Sequence, residues 1–229
     1  MKPIIIISLS LTLLFVSLYS SAQELNTKYT LSSQFLFNKF QPAVVDFKTK
    51  NSLKTDLNYN VLLEQVQFIK NGKILSIVNT EDIKAVKIGS KVFIPVEKKF
   101  YELVYNDTIS ILLRRTPDLT LLDDREGPFG VKLTTDSPDK LEAYLVNIAG
   151  NTNIQKINTP KDDQKEIPIY NRYYIMFQGE VEPAAKSRIK RMFSDNKKEL
   201  KAYMKEQNID LESISDLKRL ADYLETNHL

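Results

Sequence analysis

The chain has 229 residues, of which 42% are hydrophobic and 27% charged, and a formal net charge of +3. That is an ordinary globular composition, long enough for one domain with an appendage, and its positive bias is too slight to indicate a nucleic-acid partner. There is no cysteine, and the single histidine, His228, stands next to the C-terminus. Disulfides, thiolate chemistry and Cys-ligated zinc are thereby set aside, as is a Ser-His-Asp arrangement, because a fraying tail does not hold the placement of about 0.5 Å that catalysis needs.

The first 22 residues read as a signal peptide. Lys2 supplies a positive start, Ile4 to Leu18 form an apolar run, and Ser20-Ser21-Ala22 put small residues before Gln23. The run is short for a membrane span, which needs about 20 apolar residues, and the mature chain is expected to start at Gln23 without a transmembrane segment. Without a cysteine at the cleavage point the protein is expected not to be a lipoprotein. Cysteine-free export points to a bacterial envelope, in the periplasm or outside the cell.

Ala43 to Phe47 then predicts a first strand, preceded by Pro42, and Lys48 to Thr55 is polar and turn-like. Asn71-Gly72 stands between two β-rich runs, Glu64 to Ile69 and Ile74 to Val78. Both turn residues tolerate the positive φ of a type I′ turn, so the stretch predicts a hairpin. Val66 and Phe68 alternate with Gln65 and Gln67, and Leu75 and Ile77 are placed to answer them. Further strands are expected over Ala85 to Ile88, Val92 to Val96, Phe100 to Tyr105 and Ile109 to Leu113, divided by Gly89-Ser90 and Asn106-Asp107. Val92, Ile94 and Val96 share a face, and Pro95 marks an edge or a bulge.

Residues 116–139 carry Pro117, Pro128 and Pro138 and no periodicity, so an irregular loop is expected there. Leu141 to Ile148 fits strand or helix, and 150–166 is a polar linker or loop. Tyr170 to Phe177 reads as a late strand that rejoins the sheet, ending at Gly179. After Pro183 the period becomes helical. Ala185, Ile189, Met192 and Phe193 share one face; Leu200, Tyr203 and Met204 share the next; Leu217, Leu220, Ala221 and Leu224 share the third. Ser194 is a candidate N-cap, Asn208 a candidate C′ residue, and Ser213 with Asp216 has the spacing of a capping box. The fold class is α+β. An antiparallel β-meander or small barrel-like sheet occupies 23–180, and a three-helix segment occupies 181–229.

The stretch NYNVLLEQVQFIKNGKILSIVNTEDIKAVKIG and the tail MFSDNKKELKAYMKEQNIDLESISDLKRLADYL resemble recurrent segments of a family of uncharacterised secreted proteins of Gram-negative bacteria. The resemblance covers about a third of the mature chain. It implies export and the two-part architecture, and assigns no functional residue.

The remaining chemistry rests on carboxylates, aromatics and a basic run. Asp118, Asp123, Asp124 and Glu126 offer hard oxygens, but their spacing is not that of a calcium loop, and a solvated acidic loop is the plainer reading. Gly127-Pro128-Phe129-Gly130 lacks the Lys-Ser/Thr of a phosphate loop and reads as a rigid turn. Tyr101, Tyr105, Tyr170, Tyr173, Tyr174 and Phe177 line an aromatic groove or, more commonly, fill a core and its rim. Two carboxylates suffice for a glycosidase, although the absence of tryptophan removes the usual sugar-stacking surface. Between Lys186 and Lys205 cations far outnumber Asp195 and Glu199, and the sign inverts after Glu206. Such a run is commonly a solvated face neutralised by the last helix. As a binding face it comprises Lys190, Arg191, Lys198, Lys201 and Lys205. The expected function is a non-enzymatic exported module that binds an envelope protein, a peptide or an anionic surface, with no cofactor, metal or nucleic acid. The alternative is a carboxylate-dependent, glycosidase-like hydrolase.

Overall fold

The structure, a computed structural model, describes residues 29–30, 33–118 and 166–228. The expected signal peptide, the acidic and Gly-Pro loop beyond Asp118, the Leu141 to Ile148 segment and nearly all of the polar stretch 150–166 lie outside the described residues, as does the side chain of His228.

An antiparallel ten-stranded sheet is built from β1 (Gln41–Phe47), β2 (Ser52–Asn60), β3 (Gln65–Lys70), β4 (Lys73–Ser76), β5 (Ile83–Ile88), β6 (Lys91–Val96), β7 (Lys99–Tyr105), β8 (Ile109–Pro117), β9 (Ile169–Phe177) and β10 (Glu180–Pro183). Three helices follow: α1 (Lys186–Met192), α2 (Lys197–Glu206) and α3 (Ile214–His228), with a 3-10 turn over Ser194–Asn196. The α+β class is as expected. The sheet is open, in the order β10-β9-β8-β7-β6-β5-β1-β2-β3-β4, so it is neither a closed barrel nor a simple meander. β1 pairs with both β2 and β5, which drives the β2–β3–β4 group outward and leaves β4 on an edge.

Several local expectations hold for the reason given. Lys70 pairs with Lys73 across Asn71 and Gly72, whose φ values are 53° and 72°, the positive pair that a two-residue primed turn demands. β9 runs along the whole of β8, from Ile109 opposite Phe177 to Pro117 opposite Ile169.

Others are corrected. Ser52 to Thr55 are the first half of β2 rather than a turn, held by the ladder to β1 although their side chains are mostly exposed. β4 stops at Ser76, short of Val78. β10 pairs with β9 through a turn at Gln178 and Gly179, both of positive φ, and the sequence reading had not placed it. On β6 the fully buried side chain is Phe93, on the face opposite Val92, Ile94 and Val96. The edge or bulge expected at Pro95 is not found, since β6 lies between β5 and β7 and its register with β7 is unbroken; Pro95 is tolerated because it lies beyond the last β5–β6 pair, where its missing N–H faces no strand.

Directly paired residues share a sheet face, so the register traces one row across six strands: Val45, Val86, Phe93, Glu102, Leu113 and Tyr173. This face carries two hydrophobic cores. The first centres on Leu57, Tyr59, Val86, Ile88, Phe93 and Phe100. The second joins Ile109, Ile111 and Ile175 to the helices through Ile189, Leu200, Leu217, Leu220 and Leu224. The sheet curls until the β2–β3 end reaches β7. There the Tyr59 ring stacks on Phe93 with centroids 4.8 Å apart, and the Tyr59 hydroxyl donates to the Phe100 carbonyl at 3.1 Å. The Phe100 N–H donates to the Glu64 carbonyl at 3.2 Å. Each fully buried leucine or phenylalanine contributes roughly 1.5–3 kcal/mol, so the two cores carry most of the stability.

Candidate functional site

The helical segment begins where the apolar side chains of β8 and β9 leave one face to be covered. In α2, Leu200 and Met204 are buried in the second core, and Tyr203 stacks on Tyr223 of α3 at 3.6 Å between centroids. The C-terminus of α2 closes as a Schellman motif. The Ile209 N–H donates to the Met204 carbonyl at 3.0 Å and the Asn208 N–H to the Lys205 carbonyl at 3.3 Å, with Asn208 at φ 47°. Ile209 itself enters the core. Asn208 is therefore the C′ residue the sequence pointed to. Ser194 is not an N-cap: the chain passes through the 3-10 turn, and Asn196 precedes α2 without a side-chain cap.

The proposed capping box at α3 forms by half. Ser213 Oγ accepts from the Asp216 N–H at 3.4 Å, while the Asp216 carboxylate accepts from the Asp210 N–H at 2.9 Å and from Arg219 at 2.8 Å. The Asp210 N–H, with Arg219 adding to it, lowers the Asp216 carboxyl below its ordinary value. Two carboxylates of α3 also fasten the helix to the sheet. Asp222 accepts from the Tyr105 hydroxyl at 2.7 Å, and Glu225 accepts from the Ile109 N–H at 2.7 Å. The Asp222 bond is the first cause of a raised Tyr105 phenol, and burial adds to it.

With the helix so held, one turn per 3.6 residues fixes what faces water. Lys198, Lys201 and Lys205 lie on one stripe of α2, about a third of a turn round from the buried Leu200 and Met204, and all three are exposed. No ion pair engages any of them among the described residues. Glu199 and Glu206 lie on the flank nearer Tyr223, where, after burial, their charges raise its phenol. α2 is thus divided lengthwise into an apolar, an acidic and a basic edge. The other two residues of the expected basic face are placed differently. Arg191 is exposed but pairs with Glu182 of β10, which Arg188 also approaches at 3.7 Å. Lys190, also on α1, is half-buried.

A second set of charges is one the sequence reading missed. On the core face, where the apolar row passes from the first core to the second, Glu102 sits between Lys91 at 2.5 Å and Arg115 at 2.7 Å. The Glu102 and Arg115 side chains are each only 8% exposed. The neighbouring Arg114 points to the other face and grips Glu64 with two bonds, 2.7 and 3.2 Å, at the tip of the β2–β3 hairpin. It lies 5.6 Å from the Tyr101 ring centre, and Tyr101 meets Tyr174 edge-on at 4.9 Å. Tyr101 and Tyr174 thus pack against charges inside the fold. Glu64 and Glu102 are both committed to cations across strands, so they act as ties between β-elements. The signal was present: Arg114-Arg115 in one strand sends two cations to opposite faces, and each requires a carboxylate when buried.

No metal-binding cluster of three or more His, Asp or Glu residues occurs among the described residues, and none of their helices is long and apolar enough to cross a membrane. Compared with models of known families, with curated proteins and with solved structures, the chain matches none.

Proposed function

We propose that the protein is a non-enzymatic, exported module of a bacterial envelope that binds an anionic partner through the basic edge of α2. The observation that carries this reading is the stripe of Lys198, Lys201 and Lys205: exposed, unpaired among the described residues, and held in place by Leu200 and Met204 beneath it. Three like charges on one short helix stabilise nothing inside the fold, and a surface of opposite sign is their natural complement. Export rests on the leader-like residues 1–22, and the envelope on the resemblance of the two quoted segments to secreted proteins of Gram-negative bacteria.

Co-sedimentation with Gram-negative envelope fractions at low and high salt tests the reading. The wild type is expected to sediment at low salt and to release at high salt, where the screening length shrinks to about 3 Å near 1 M. The Lys198→Gln/Lys201→Gln/Lys205→Gln variant is expected to stay in solution at both. Equal, salt-independent behaviour of the two proteins would reduce the stripe to a solvated face.

A further inference from the structure

A groove on the sheet lies outside this reading. It runs along β1 on the outer face of the sheet, with a volume of about 460 Å³, within the range of small-ligand sites. Its floor is Pro42 and Val44. Its walls come from the strands on either side: Lys54 and Asp56 from β2, Lys87 and Gly89 at the end of β5. The register explains the shape. Val44 pairs with Lys54 on one side and Lys87 on the other, so two long side chains flank a short one. Pro42 pairs with Asp56, and on its other side the chain has reached Gly89, whose missing Cβ leaves open space.

The charges are arranged by the same register. Lys54 and Lys87 share a face across a single intervening strand, roughly 10 Å apart at the backbone. Both are exposed and neither is ion-paired among the described residues. Asp56 stands two residues along from Lys54 on the same strand and face, about 6.6 Å away. The groove is therefore cationic on both walls at one end, apolar along its floor and anionic at the other end.

We propose that this groove is a binding site for a short peptide held by its two termini. The carboxylate sits between the Lys54 and Lys87 ammonium groups. The body lies on Pro42 and Val44. The terminal ammonium donates to the Asp56 carboxylate. A simple inorganic anion would satisfy the lysines but leave the floor and Asp56 unused.

Backbone amide shifts of the full, isotope-labelled chain test this, with the dipeptide Ala-Ala, propionate and inorganic phosphate as probes. Ala-Ala is expected to move the Val44 and Gly89 amides saturably, and propionate to move the same amides more weakly. Lys54→Gln/Lys87→Gln is expected to weaken both carboxylates by about tenfold or more, the scale of one charge-assisted contact. Asp56→Asn is expected to weaken Ala-Ala and leave propionate unchanged. These are exposed positions, so unchanged thermal melts establish that the variants fold. No saturable shift, phosphate binding as well as Ala-Ala, or Asp56→Asn without effect on Ala-Ala would each overturn the proposal.

Discussion

At the scale of single residues, the buried charges are the most exacting feature. Glu102 is nearly sealed between the two cores, and Arg115 is as buried as the carboxylate it holds. Removing one partner strands the other. Arg115→Met is therefore expected to cost about 3 kcal/mol in urea denaturation, the low end for a broken buried pair because Lys91 remains. Glu102→Met/Arg115→Met is expected to recover most of that loss, since matched apolar replacement is often neutral and Lys91 can reach water. Additive losses would mean that the pair is not coupled. Tyr101 gives a second handle. Burial pushes its phenol from 10.0 up to about 12, against the pull of the nearby Arg114. A raised folded value contributes stability that is whole below pH 10 and fades as the pH climbs towards about 12. Tyr101→Phe is expected to shrink the stability lost across that window, measured by denaturation on either side of it. An unchanged alkaline loss would place the effect on the other buried phenols. None of these groups was legible in the sequence as a partner. Glu64 and Arg114 meet across 50 residues of chain, and local periodicity says nothing about which distant carboxylate a buried arginine finds.

At the scale of elements, legibility followed locality. The Asn71-Gly72 hairpin, the Schellman end of α2 and the apolar stripes of the three helices were readable because each is set by a few consecutive residues and one period. The place of β1 in the middle of the sheet was not. Its pairing with β5 is a choice among strands of similar pattern, and only the assembled core decides it. β2 was half missed because Ser52 to Thr55 are polar and exposed, and their strand character comes from the ladder alone. The hairpin makes the locality testable. A Cβ at Gly72 would meet nothing within 4 Å, so Gly72→Val acts through its φ of +72° and not through a clash. About 1–3 kcal/mol of destabilisation is expected, with hydrogen exchange quickened first in β3 and β4. An unchanged melt would mean that the turn tolerates the side chain by changing its type. In α2 the two edges separate cleanly. Leu200→Ala is expected to cost roughly 2–5 kcal/mol as a truncated core leucine. Replacing Lys198, Lys201 and Lys205 by Gln is expected to stay within about 0.5 kcal/mol, because exposed charges contribute little.

At the scale of the whole molecule, the open sheet acts as one body that carries two cores on one face and presents separate surfaces to the outside. Helical periodicity exposed the α2 lysines in the sequence, because fixing the buried side of a helix fixes the other side as well. The groove along β1 was invisible there, since it depends on three strands whose order the sequence did not disclose. The central claim is that the position of the three lysines, and not the overall charge, selects the partner. The direct measurement compares two variants that each lose three positive charges. One carries Gln at Lys198, Lys201 and Lys205; the other carries Gln at Lys48, Lys70 and Lys98, exposed lysines at the turns of the sheet. Binding to envelope fractions at low salt is expected to collapse for the first and to persist for the second. Equal loss in both would contradict the account, leaving net charge alone as the cause.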